Sequence, residues 1–213
     1  MTSSPLFLDR AAAVLRHEAL GRFDPAARVW RPGAAAGGTP VALHDAVRWL
    51  QRESGRPCRP PIGVIGAREA TAAQLADAEA LGRGLAGMGL VVLCGGLVGV
   101  MTAVSKGAAE AGGIVVGCLP DGDWRTANPW VTIPIATGIG VARNALIARA
   151  ALVLVAVGGG YGTISEMAFG LQFGKPVLAL GGEPPLAAVE AMASVDAALD
   201  RVARVVLELP ARD

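Results

Sequence analysis

From Ile62 onward the chain predicts an α/β fold, a three-layer sandwich around a mostly parallel sheet of about seven strands. Three observations carry this expectation. Short uncharged runs rich in Val, Ile and Leu alternate with alanine-rich helical stretches. Strands that are apolar throughout are buried on both faces, and alternation with helices implies right-handed crossovers and parallel pairing. Glycine-bearing turns follow several of these strands: Gly66-Ala67-Arg68, Gly95-Gly96 and Gly158 to Gly162. The pattern is Rossmann-like, so these turns should meet beyond the carboxyl ends of the strands, where such sheets bind ligands.

The elements follow in order. Residues 1–61 read as an N-terminal arm with short helices, and 62–213 as the sandwich domain. In the arm, Asp9 to Leu20 has the composition of a short amphipathic helix. Asp24 to Pro40 is rich in Pro, Gly and Ala and should be irregular. His44 to Glu53 predicts a second helix, and Arg56-Pro57-Cys58-Arg59-Pro60-Pro61 a stiff connector. The arm holds few large apolar residues, too few for a core of its own. Trp30 and Trp49 would cover the neighbouring domain or meet a partner.

In the domain, strands are expected at Ile62–Gly66, Leu90–Cys94, Ile114–Cys118, Val131–Ile135, Leu152–Val157, Val177–Leu180 and Ala188–Ala191. Helices are expected at Thr71–Leu85, Val100–Ala111, Val141–Ala150 and Thr163–Phe173, the last stopped by Gly174. Ser194 should cap a final helix ending near Leu207.

Composition narrows the function. The hydrophobic fraction is 53% with only 4% aromatics, and Lys+Arg 19 against Asp+Glu 18 leaves +1. That balance gives no support to nucleic-acid binding. The longest uncharged stretch, Gly84 to Ser105, is split by Gly95-Gly96, so no membrane span is expected. The start M-T-S-S-P-L-F-L-D-R lacks a secretion signal, and a cytoplasmic location is the default. Cys58, Cys94 and Cys118 fit reduced thiols, and with His17 and His44 they form no metal-ligand spacing.

The run Leu152 to Glu166, L-V-L-V-A-V-G-G-G-Y-G-T-I-S-E, is the most informative. A buried strand runs into glycines and then a helix. Such a loop aims free N–H groups at the positive end of a helix dipole, which suits a phosphate. Thr163-Ile164-Ser165-Glu166 also matches a capping box, in which Glu166 would only return a hydrogen bond to the cap. The glycines favour the cradle, because a cap has no use for them. Arg143 begins a predicted helix, where the dipole disfavours a cation. It must pair with a carboxylate, such as Glu166, or meet a bound anion. Arg68, just after the first strand, is a weaker candidate for the same part and reads first as a solvated surface arginine, and Lys175 as a partner for a helix C-terminus. Neither a dinucleotide fingerprint nor a Walker loop is present.

C-G-G-L-V-G-V-M at Cys94 to Met101, A-R-N at Ala142 to Asn144 and G-G-G-Y-G-T-I-S-E at Gly158 to Glu166 resemble the Lonely Guy family, whose members were often labelled "possible lysine decarboxylase". The resemblance covers about Ile62 to the C-terminus. It implies a modified Rossmann fold, a homodimer or homotetramer, and a nucleoside 5′-monophosphate phosphoribohydrolase that releases a free base and ribose 5-phosphate. On that basis Arg143 and Glu166 match the catalytic pair, and Gly159, Gly160, Gly162 and Thr163 the phosphate loop. Gly66, Gly95, Gly96, Gly99 and Met101 would lie about the ligand. No cofactor is required for that reaction. Gly158 and Asn144 stand where the hydrolases carry proline and lysine. They resemble a sister branch that includes molybdenum-cofactor carrier proteins, which implies a bound nucleotide or molybdenum cofactor held unchanged.

Overall fold

The computed structural model describes residues 5–34, 37–56 and 58–211. Met1 to Ser4, and Pro57 of the expected connector, lie outside the described residues. The chain divides into two compact units, one of Met1–Cys58 with Asp200–Asp213 and one of Arg59–Leu199.

The first unit corrects the reading of the arm. Asp9 to Leu20 is not helical. It is the end of β1 (Leu6–Asp9), a turn and β2 (Val14–His17). With β3 (Gly21–Asp24), β4 (Val29–Arg31) and β5 (Thr39–Val41) these strands form an antiparallel sheet ordered β4-β3-β2-β1-β5. Alanine favours a helix locally, but Leu6, Leu8, Leu15 and Phe23 are all buried and alternate at the strand period with neighbours that are not. Two strands also cross Asp24 to Pro40, which was expected to be irregular. Helix α1 (Leu43–Arg52) agrees with expectation and buries Val47, Trp49 and Leu50. The unit has a core of its own. Phe23 and Trp30 meet edge-on with ring centres 5.1 Å apart, and the Trp30 indole donates to Leu207 O at 2.7 Å.

The second unit is the expected sandwich. Its strands are β6 (Ile62–Gly66), β7 (Val92–Cys94), β8 (Val115–Leu119), β9 (Ile133–Ala136), β10 (Leu154–Val157), β11 (Val177–Leu180) and β12 (Glu190–Met192). They form one seven-stranded sheet ordered β12-β11-β10-β6-β7-β8-β9, and every pair in it is parallel. Helices α2 (Ala72–Gly87), α3 (Val100–Glu110), α4 (Arg143–Ala150) and α5 (Tyr161–Gln172) connect the strands, and α6 (Val195–Val206) crosses the unit boundary. All lie within two residues of the expected ends. Thr71 closes a capping box with Gln74 at the start of α2.

The order places a switch point between β6 and β10. The chain steps outward from β6 through β7, β8 and β9, then returns to β6's other side. Connections leaving the two strands diverge there and open a crevice at their carboxyl ends. Among the described residues no helix is long and apolar enough to cross a membrane.

Close helix packing sets the other dimension. A β-carbon on Gly82 would strike Val104 O, and one on Gly107 would strike Glu79 O, so α2 and α3 meet backbone to backbone. Because the obstacle is main chain, Gly107→Ala should cost about 1–3 kcal/mol by overpacking. Gly87, at the end of α2, has nothing within 4 Å of a β-carbon, and Gly87→Ala should gain about 0.5 kcal/mol. Urea titrations of both variants test this; equal midpoints would refute it.

Candidate functional site

The crevice is a cavity of about 290 Å³ lined by Ile65, Gly66, Ala67, Arg68, Gly95, Met101, Pro120, Val141, Arg143, Asn144, Gly160, Gly162, Thr163 and Glu166. It sits at the carboxyl ends of β6, β7, β8 and β10, on both sides of the switch point.

Arg143 and Glu166 form its floor. Arg143 is the first residue of α4, and its Nη1 donates to Glu166 Oε1, in α5, at 3.1 Å. Both side chains are more than nine-tenths buried, at 8% and 9% exposure. The carboxylate answers the unfavourable placement of a cation at a helix N-terminus. Arg143 Nε is buried and has no hydrogen-bond partner. The guanidinium passes over Gly95, where a β-carbon would meet Arg143 Nη2 and Met101 Sδ. Gly95 is therefore a packing requirement of the Arg143 side chain.

Glu166 does not close a capping box. Helix α5 starts at Tyr161, two residues before the expected start, so Thr163 lies inside its first turn and Glu166 turns inward. The N-cap is Gly160, which has no side chain to cap the first-turn amides. Gly158 and Gly159 have φ of +56 and +130, a region that favours glycine. This lets the loop double back: a β-carbon on Gly159 would strike the Thr163 side chain.

The expected site residues divide into two groups. Gly66, Gly95, Met101, Arg143, Gly160, Gly162, Thr163 and Glu166 line the crevice. Gly96, Gly99 and Gly159 do not. Gly96 accepts a hydrogen bond from Asn128 N at 2.8 Å and faces Leu119 and Gly117. Gly99, at φ +70, packs against the carbonyls of Ala67 and Arg68. Gly159 lines a neighbouring cavity. These glycines shape the turns.

Two further residues take part. Arg68, the weaker candidate from sequence that read first as a solvated arginine, lines the crevice. Asn144 Nδ2 donates to Ser165 Oγ at 3.0 Å and to Gly162 O at 3.4 Å, while Ser165 Oγ donates to Gly162 O at 2.6 Å. Asn144 thus ties α4 to the glycine loop.

Burial pushes the Glu166 carboxyl up to about 7, against the opposing pull of Arg143. The folded chain holds this proton more tightly than the unfolded chain does. The contribution to stability is therefore complete below the ordinary value of 4.5 and is lost as pH rises toward about 7. It should amount to at most about 3 kcal/mol. Glu166→Gln should remove this slope, so the wild-type unfolding free energy should fall relative to the variant's as pH rises between those values. Parallel curves in urea titrations across that range would contradict the assignment.

Comparison with known proteins bears on the same region. An uncharacterized protein of Archaeoglobus fulgidus is 46% identical over 125 residues, 59% of this chain and 81% of its own. The molybdenum cofactor binding protein of the phototrophic bacterium Rippkaea orientalis superposes with a TM-score of 0.68 at 33% identity, covering 71% of this chain and 99% of its own. The molybdenum cofactor carrier protein of Chlamydomonas reinhardtii does so with a TM-score of 0.65 at 38% identity, covering 70% and 99%. The resemblance to the Lonely Guy-like superfamily and its glycine-triplet branch agrees with these neighbours. The model of the SLOG cluster4 family matches residues 59–206, and the chain belongs to that family.

Proposed function

We propose that the second unit binds a phosphorylated pterin-type molecule, molybdenum cofactor or a close analogue, and holds it unchanged. The observation that carries this reading is the uncapped start of α5 opening into a crevice that also holds Arg68 and Arg143. Amides at the positive end of a helix and two guanidinium groups suit a phosphate. The orphaned Arg143 Nε is a further donor at the floor. Among the described residues no group of three or more His, Cys, Asp or Glu could hold a metal ion. The two molybdenum-cofactor proteins, matched over 99% of their own lengths, support the same choice.

A second reading is hydrolysis of a nucleoside monophosphate. One observation favours it: a buried carboxylate with a pKa of about 7 beside the crevice can hold or release a proton near neutral pH. It would stabilise positive charge developing on a ribose ring, with Arg143 orienting it.

Two experiments separate these readings. The full chain, mixed with molybdenum cofactor freshly released from a molybdenum enzyme, should retain it through gel filtration. Gly160 has φ −111 and nothing within 4 Å of a β-carbon. Gly160→Asp should therefore cap α5 and keep or raise stability, while its charge weakens retention by about tenfold or more. A wild-type chain that retains nothing would overturn the carrier reading. Incubation with a panel of nucleotides tests the other: release of free base, lost in Glu166→Gln, would establish hydrolysis in its place.

A further inference from the structure

Two anions have a claim on the buried Arg143 guanidinium. One is the Glu166 carboxylate, whose Oε1 accepts from Nη1 at 3.1 Å, and the other is the phosphate proposed for the crevice. Both side chains line the cavity, and Arg143 Nε is buried without a hydrogen-bond partner. The fork of donors is therefore only partly used. Like charges repel strongly in a site with little water to screen them. An anion arriving at Arg143 meets a carboxylate that already answers its charge, and neutralising one of the two relieves the conflict. Burial brings Glu166 to that threshold, pushing its carboxyl up to about 7 against the pull of Arg143. The surroundings leave the proton to Glu166. On α4 the other cation, Arg149, lies over the Phe173 ring, beyond the C-terminal end of α5. On α3, Lys106 pairs with Glu79 of α2. Arg68, beyond β6, is exposed and keeps its charge as any guanidinium does. Cys94 of β7 and Cys118 of β8 lie within electrostatic reach of the pair, but burial pushes both thiols up and keeps them neutral. Strands β6, β10 and β11 bring no titratable side chain.

We infer that the crevice takes up its anion together with a proton, and that Glu166 is the group that accepts the proton. The inference rests on the phosphate reading of the crevice. In the free protein above about pH 7, Glu166 is ionised and neutralises Arg143. As the anion docks, the Glu166 carboxylate takes a proton from water in the crevice, and the guanidinium charge is left to the anion. No covalent bond other than that O–H forms or breaks. The neutral carboxyl is a donor, where the carboxylate could only repel. Below that pH the proton is in place beforehand. The complex holds the proton more tightly than the free protein does. By reciprocity the anion binds more tightly to the protonated site, so its affinity falls as pH rises above about 7. Glu166 thus acts through Arg143 as a positioning residue. A site of this kind fills at or below neutral pH and empties above it, with no chemistry on the cargo.

Calorimetry on the full chain tests this with two probes, inorganic sulfate and 6-hydroxymethylpterin monophosphate. Both are dianions above about pH 7, so neither adds a titration of its own there. The affinity for each should fall by up to about tenfold per pH unit above about pH 7. Heats measured in two buffers of unlike ionisation enthalpy should report close to one proton taken up per anion at about pH 8. That comparison uses the wild-type chain and stands even if a variant folds poorly. Glu166→Gln has no carboxyl to titrate, so its affinity should be level over the same range. Binding without proton uptake at about pH 8, or a pH slope that survives in folded Glu166→Gln, would overturn the inference and leave the phosphate reading in place. If neither probe binds at any pH, the phosphate reading falls and this inference falls with it.

Discussion

Arg143 and Glu166 meet 3.1 Å apart in the interior, and the carboxyl edge of the sheet is arranged around that contact. The pair joins the first residue of α4 to the second turn of α5. It also dictates Gly95, because any side chain there would displace the guanidinium. Burying two charges seldom adds net stability, while removing one partner leaves the other uncompensated. The pair is therefore better understood as a positioning device than as a source of stability. It holds a cation and a proton-carrying group at the floor of a crevice where the fold already gathers backbone donors.

The crevice itself follows from topology. With β6 and β10 adjacent, successive connections leave in opposite directions, and the space between them is left open. The glycine loop leads into that space, where α5 begins at Tyr161 behind Gly160, an N-cap without a side chain. Asn144 and Ser165 then hold the carbonyl of Gly162, so the loop is braced by hydrogen bonds. The same loop divides two cavities of unlike charge, a basic one and one with a carboxylate and no cation.

The seven strands of the sheet were legible because they are buried on both faces, and continuous apolar runs bounded by glycine mark them well. Arg143 and Glu166 were legible as a pair because a cation at a helix start needs an anion. The part of Gly96, Gly99 and Gly159 was not. Glycine in a turn signals either a ligand's approach or the backbone's own, and only the neighbours distinguish them. Here Gly99 meets the carbonyls of Ala67 and Arg68, and Gly159 meets Thr163. The antiparallel sheet of the first unit was hidden for a different reason. Its alanines favour a helix over short range, and the strand-period pattern of Leu6, Leu8, Leu15 and Phe23 is interrupted by turns.

The sequence by itself determined the parallel α/β sheet, the glycine loop after its strongest strand and the charged pair beneath it. These rest on local pattern: apolar periodicity, the φ range open to glycine and the electrostatics of helix ends. Tertiary structure alone decided that α5 starts at Tyr161, that Glu166 turns inward, that Arg68 faces the crevice and that a second cavity adjoins it. Those features depend on residues far apart in the chain being brought to one sheet edge. No local pattern encodes such a meeting.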